Sequence, residues 1–204
     1  MITDRRLEKL RKVAAQRQEM TVILENVHDP HNIGAVMRSC DAVGIQEIHI
    51  VINDPRMNRA NTLTLNPTST GVRKWLEVFF YDDMASCARN VRKKYDIILA
   101  THINDESKSL YELDLTGRVA LLFGNEHDGI SADALQYIDG NYLIPQYGMV
   151  QSLNISVACA ISIFEAGRQR ANAGLYNEDI ESASESNKRT FDHFISKHKE
   201  SYLR

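Results

Sequence analysis

The 204-residue sequence lacks the apolar segments that membrane insertion requires. Its first twenty residues carry Arg and Lys in a helical pattern instead of an apolar signal core, and no apolar run approaches the length of a membrane span. With 43% hydrophobic residues, the chain can still bury one full core. We therefore expect a cytoplasmic protein with one domain and short appendages.

Cysteine is scarce, and its spacing argues against two kinds of site. Cys40, Cys87 and Cys159 are odd in number and lie far apart, in stretches that we interpret as helices. Neither a disulfide framework nor a paired-cysteine metal site fits that pattern. Because the seven histidines show no metal-ligand spacing either, we predict core cysteines and no metal.

The sequence also lacks the glycine patterns that hold nucleotide phosphates. Neither G-x-G-x-x-G nor G-K-[ST] occurs where a strand would turn into a helix. Dinucleotide sites and Walker-type phosphate sites therefore lose support.

Charge of one sign is not in excess overall, since the net charge is -3, but its distribution is uneven. Residues 1–20 hold six basic and three acidic side chains, and residues 187–204 hold five and two, so each end carries +3 and the body carries -9. Basic ends on an acidic body favour arms that touch a polyanion. Solvated helical faces are also rich in Lys and Arg, which is the alternative interpretation.

The chain does contain short apolar strands that alternate with helical patterns. The predicted strands are residues 21–27, 47–52, 75–81, 96–102, 118–124 and 141–145; the predicted helices are 3–18, 29–44 closed by Gly44, 82–95, 131–138 and an apolar helix from 154. This alternation predicts an α/β domain with a mostly parallel sheet and helices on both faces. We divide the chain into a basic helical arm (1–19), a main domain (20–176), and a linker with a basic helix (177–204).

Three polar loops follow predicted strands, at the sheet edge where α/β proteins bind ligands. In "DPHNIGAVMRS", Asn32 is placed to cap a helix. Small residues three and four positions before Arg38 leave room over its guanidinium, and the alternative is an ordinary surface pair with Asp41. In "GNEHDGIS", two glycines bracket Glu126, which orients a substrate or pairs with a cation. In "YGMVQSLN", Ser152 or Asn154 caps the apolar helix or helps to hold a polar ligand.

Together the three loops carry a recognisable series of motifs. "NIGAVMR", "LLFGNE" and "IPQYGMVQSLNISVA" resemble, in order and spacing, the motifs of the SpoU/TrmH branch of the SPOUT superfamily, the tRNA (guanosine 2'-O) methyltransferases. The resemblance runs from about residue 20 to residue 176. The stretch 63–71 and the tail after Tyr176 depart from the family pattern.

The resemblance implies a fold, a cofactor and site residues. The fold is a deep C-terminal trefoil knot, in which the segment before Asn154 threads through an earlier loop, and the cofactor is S-adenosylmethionine. The implied cofactor contacts are Ala100, Thr101, His102, Gly124, Asn125, Glu126, Ile144, Met149, Ser152 and Leu153. Arg38 is the implied base or electrostatic stabiliser, and the residues that support it are Asn32, Glu126, Ser152 and Asn154.

The resulting hypothesis is methylation of a tRNA ribose, at the D-loop guanosine at position 18, by a homodimer that pairs through the apolar helix. Two alternatives stay open: a ribosomal-RNA methyltransferase of the same branch, and a non-catalytic RNA-binding α/β module. We see no separate RNA-binding domain before residue 20, which favours the tRNA enzyme.

Overall fold

The computed structural model describes residues 2–56, 70–102, 104, 107–150 and 152–200. In chain order the elements are α1 (Asp4–Ala15), β1 (Met20–Glu25), α2 (Pro30–Ala42), β2 (Glu47–Val51), α3 (Thr70–Arg73), β3 (Glu77–Tyr81), α4 (Met84–Val91), β4 (Ile97–Thr101), β5 (Lys108–Ser109), β6 (Val119–Phe123), β7 (Gly140–Leu143), α5 (Ile155–Asn172) and α6 (Glu185–Glu200), with 3-10 turns at Leu110–Glu112 and Ala134–Tyr137. Of the divergent stretch 63–71, residues 63–69 lie outside the described part.

The strands form one seven-stranded sheet in the order β3-β2-β1-β6-β4-β7-β5, and the strand pairings are parallel. The chain runs outward from β1 through β2 to β3 and then crosses to β4 on the other side of β1. This reversal of direction puts the switch point of the sheet near β1, β6 and β4, where α/β proteins bind ligands. The α/β prediction is confirmed, whereas the knot stays a prediction.

Successive side chains of a strand point to opposite faces of the sheet, and both faces are covered here. In β1, Val22 and Leu24 face the layer formed by α2 and α5, and Ile23 faces the layer that contains α4. Cys40, Cys87 and Cys159 are free and buried among these helices, which confirms them as core residues.

One strand carries charge into the core. Glu47 at the start of β2 is 5% exposed, and it accepts hydrogen bonds from Lys94 Nζ at 2.5 Å and Tyr95 Oη at 2.9 Å. Burial by itself raises the pKa of a carboxyl group, but the hydrogen bonds to Glu47 lower its pKa to about 2. Glu47 is therefore ionised and paired. It lies at the amino end of β2, at the edge of the sheet opposite to the polar loops.

The terminal helices α1 and α6 pack on each other around Leu10, Ala14 and Phe194. Phe194 also meets the Trp75 ring edge-on at 5.3 Å. The predicted strand 75–81 begins two residues later, at Glu77, and Trp75 packs against the terminal helices instead. Residues 1 and 201–204 lie outside the described part.

Candidate active site

A cavity of about 420 Å³ opens at the carboxyl ends of β4, β6 and β7. It is lined by Thr101, His102, Phe123, Gly124, Asn125, Glu126, His127, Gly129, Ile130, Tyr142, Leu143, Ile144, Gln146, Ser152, Leu153, Ile155 and Ala158. Its volume falls within the ~300–1,000 Å³ of small-molecule sites, which are largely apolar with a few placed polar groups.

The loop after β6 forms one wall of the cavity and depends on a glycine at its start. Backbone hydrogen bonds of 2.9 Å join Asn125 and Gly129 in both directions. A Cβ on Gly124 would lie 2.2 Å from the Gly129 carbonyl oxygen. Only glycine therefore fits at position 124 without displacing the loop.

Three loops meet at the edge of this cavity through a chain of side-chain hydrogen bonds. Asn32 Nδ2 donates to Glu126 Oε1 at 2.6 Å, and Asn154 Nδ2 donates to Asn32 Oδ1 at 3.1 Å. Each of these residues comes from a different sequence motif. The motifs that are distant in the sequence thus form one polar cluster.

Helix capping explains why Asn32 is available for this contact. The expectation that Asn32 caps the helix is wrong, because Asp29 is the N-cap of α2 and accepts from the His31 N–H at 2.8 Å. Asn32 lies in the first turn of α2, and its side chain reaches across to the other loops.

The two candidates for capping α5 have separate positions. Asn154 is the N-cap and accepts from the Ser156 N–H at 2.8 Å. Ser152 lines the cavity. The polar segment before the apolar helix therefore both caps the helix and faces the cavity.

Arg38 lies on α2 but away from the cavity of its own chain. It is exposed, and six residues of helix place it ~9 Å along the axis from Asn32. The alternative pairing with Asp41 is wrong, because Asp41 bonds to Arg17 at 2.7 Å.

The cavity gathers most of the implied cofactor residues but not all. Ala100 is fully buried within β4 and Met149 is 98% exposed, and neither lines the cavity. The other eight line it: Thr101, His102, Gly124, Asn125, Glu126, Ile144, Ser152 and Leu153.

The inner wall includes a phenol that is not suited to proton transfer. Tyr142 is fully buried, and its hydroxyl lies 3.1 Å from Ser162 Oγ. Burial raises the pKa of Tyr142, so its phenol stays neutral. We assign it to shaping the cavity.

Sequence reasoning missed the residues that hold the Glu126 loop. Asn26, Glu25 and Ser131 do not line the cavity, but their hydrogen bonds join the end of β1 to this loop. An Asn just after a buried strand is a weak signal of a left-handed turn, and it could have drawn attention to Asn26. Within the described ranges, we find no group of three His, Cys, Asp or Glu side chains that could hold a metal ion and no helix that could span a membrane.

Comparisons with known proteins agree on one family. A family model described as the SpoU rRNA Methylase family matches residues 19–164. The chain is 42% identical to a tRNA (guanosine(18)-2'-O)-methyltransferase from Thermus thermophilus, over 86% of this chain and 88% of the relative.

Solved structures give the same result. A TrmH/SpoU tRNA-modifying enzyme from A. aeolicus matches with a TM-score of 0.77 and 31% identity, covering 95% of this chain and 97% of that one. An rRNA methyltransferase from Sinorhizobium meliloti, solved with AdoMet bound, matches with a TM-score of 0.65 and 29% identity, covering 78% of this chain and 59% of that one.

Proposed function

The chain belongs to the SpoU rRNA methylase family, and we propose that it methylates the ribose 2'-hydroxyl of a tRNA guanosine, at position 18 in the D-loop. The observation that carries the proposal is the polar chain from Glu126 through Asn32 to Asn154, which joins the three motifs at the mouth of one cavity. Because tRNA is the proposed substrate, the proposed location is the cytoplasm.

The cavity suits S-adenosylmethionine, which has a flat purine, a polar ribose and a charged amino-acid end. Leu143, Ile155 and Ala158 offer apolar surface, and Gly124 lets the loop after β6 close tightly on itself beside the cavity. Polar groups for the ribose and the charged end come from Thr101, Gln146 and Ser152. When bound, the cofactor supplies a methyl group activated by a sulfonium.

The chain's own residues must position the ribose and stabilise its ionised hydroxyl. Glu126 is held by Asn32 at the cavity mouth, where it can orient the nucleotide. A guanidinium offers a planar fork of N–H donors and no acceptor, so Arg38 is better suited to binding an adjacent phosphate and stabilising the developing alkoxide than to removing a proton. The 2'-hydroxyl distinguishes RNA from DNA.

We propose further that the active form is a homodimer, in which Arg38 of one subunit serves the cavity of the other. Arg38 is exposed and away from its own cavity, while α5 exposes Val157 (45%) and Phe164 (54%) seven residues apart on one face. Tyr147 and Met149, both 98% exposed, lie in the loop that leads into α5. An apolar surface of this kind is typical of a protein interface.

Cofactor binding tests whether the chain is an enzyme or a non-catalytic RNA-binding module. We expect calorimetry to show binding of S-adenosylmethionine by the wild type. Gly124→Ala should weaken it by about tenfold or more, or about 1.4 kcal/mol, because the new Cβ displaces the loop.

Gly148→Ala is the matched control, since a Cβ there meets nothing within 4 Å. It should bind like the wild type. A wild-type protein with no affinity for the cofactor would support the non-catalytic alternative.

A further inference from the structure

Asn26, directly after β1, has an unusual backbone conformation. Among the non-glycine residues that the structure describes, it is the one with a positive φ, at +52°. This left-handed conformation is unfavourable for residues with a side chain, although Asn adopts it more readily than most. Such a conformation persists where the surroundings hold it in place, and it is concentrated at functional sites.

Asn26 bonds to the loop after β2 through its side chain. Asn26 Oδ1 accepts from the backbone N–H of Asn53 at 3.0 Å and of Asp54 at 3.1 Å, and Asn26 Nδ2 donates to Asn53 Oδ1 at 2.6 Å. The side chain therefore makes three hydrogen bonds to one neighbouring loop. This fixes the direction in which its backbone carbonyl points.

That carbonyl accepts from Asn125 Nδ2 at 2.8 Å, in the loop after β6. Asn125 Oδ1 in turn accepts from the N–H groups of His127 at 2.6 Å and Asp128 at 3.2 Å. Glu126 lies between these anchored positions. Asn26 thus reaches both flanks of Glu126 through the Asn125 side chain.

Two further contacts hold the same loop, and the first of them does not involve the Asn26 side chain. Glu25, which is 1% exposed, accepts from Ser131 Oγ at 2.5 Å and from the Ser131 N–H at 3.0 Å. Arg56 bridges Asp54 at 2.7 Å and Asp128 at 2.6 Å. The loop therefore has other anchors that keep it folded when Asn26 is changed. A substitution at Asn26 can thus shift the loop without unfolding it.

We propose that Asn26 is a positioning residue, which holds Glu126 where it meets Asn32 at the cavity mouth. Asn26 does not line the cavity itself; it acts through Asn125. The catalytic consequence rests on the proposed function, whereas the effect on the loop does not.

Three substitutions test the proposal. Asn26→Gly keeps the left-handed backbone but removes the side-chain bonds to Asn53 and Asp54. Asn26→Asp keeps an acceptor for both N–H groups. Asn53→Ala is the control, because it removes an amide from the loop after β2 and with it one bond to Asn26 Nδ2, while both backbone N–H donors to Asn26 Oδ1 remain.

We expect Asn26→Gly to lower kcat by about tenfold to a hundredfold, as for a small misplacement of a reacting group, with a smaller change in KM. Asn26→Asp should recover most of kcat, and Asn53→Ala should stay within about threefold of the wild type. Hydrogen exchange at the amides of residues 125–131 should be faster in Asn26→Gly than in Asn53→Ala, whether or not RNA is methylated.

Unchanged exchange at residues 125–131 in Asn26→Gly overturns the proposal. Wild-type kcat in Asn26→Gly also overturns it, and so does a loss of kcat that Asn26→Asp does not recover. Faster exchange in a protein that methylates no RNA would support the anchoring of the loop and count against the proposed function instead.

Discussion

Some side chains around the cavity hold the backbone in place, and others are available for the reaction. Asp29 and Asn154 cap α2 and α5, and Gly124 makes the close turn of the loop after β6. Because those positions are filled, Asn32 and Glu126 can bond to each other at the cavity mouth. Arg38 is exposed and caps no helix within the described ranges, so its loss should affect the reaction rather than the fold.

Arg38→Ala should keep the melting temperature and the affinity for S-adenosylmethionine, and it should lower methyl transfer by about a hundredfold to a thousandfold, as for removal of one donor to a developing oxyanion. The activity of Arg38→Lys should lie between those of Arg38→Ala and the wild type, because an ammonium keeps the charge but not the planar fork. Near-normal turnover of Arg38→Ala on unmodified tRNA would show that Arg38 has another role.

At the scale of elements, α2 and α5 form the layer that carries the site. They pack against each other over the sheet, and their N-terminal ends hold Asn32 and Asn154 within 3.1 Å. Their outer faces carry Arg38 on α2 and Val157 and Phe164 on α5. In the proposed dimer a second copy covers this layer, and its Arg38 serves the cavity.

Mixing two inactive variants tests the shared site. In a mixed dimer of Arg38→Ala and Glu126→Gln, one cavity is intact and receives Arg38 from the other subunit. Random exchange makes half of the dimers mixed, so activity should return to about a quarter of the wild-type value. If Arg38 served its own cavity, both sites of the mixed dimer would be defective and activity would stay at the level of the single variants.

Much of this layer could be predicted from the sequence, because buried strands and a long apolar helix leave strong patterns. The sequence does not predict β5, which has two residues, and the predicted helix 131–138 is a 3-10 turn at Ala134–Tyr137 whose preceding Ser131 is bound by Glu25. The bonds among Asn26, Asn53 and Asn125 were out of reach as well. They join positions up to 99 residues apart, and a local sequence pattern does not predict contacts between residues that far apart.

At the scale of the whole molecule, the two basic ends lie together. α1 and α6 pack into one unit against Trp75, with Arg6 stacked on the Trp75 ring at 5.2 Å. Arg5 and Lys9 are exposed on α1, four residues apart on one face. We propose that this unit contacts the phosphate backbone of tRNA, since the acidic body has no overall attraction for RNA.

Charge removal tests this without disturbing the packing. The double variant Arg5→Ala, Lys9→Ala should bind tRNA more weakly, and each phosphate that the protein no longer neutralises should flatten the slope of log affinity against log salt by roughly 0.7 to 0.9. The control Arg89→Ala, Lys93→Ala removes the same charge from α4 and the turn after it, where both residues are also exposed. Equal slopes in the two double variants would mean that the terminal helices serve stability alone.

The site at the cavity is proposed to methylate a tRNA ribose at one guanosine. The most direct measurement is in vitro methylation of an unmodified tRNA transcript, followed by alkaline hydrolysis and identification of the alkali-resistant dinucleotide, with Glu126→Gln as the inactive comparison. We expect one resistant dinucleotide that begins with 2'-O-methylguanosine from position 18, and a strongly reduced amount with Glu126→Gln. Methylation of ribosomal RNA with none of tRNA, or a tRNA product that alkali cleaves fully, would contradict the account.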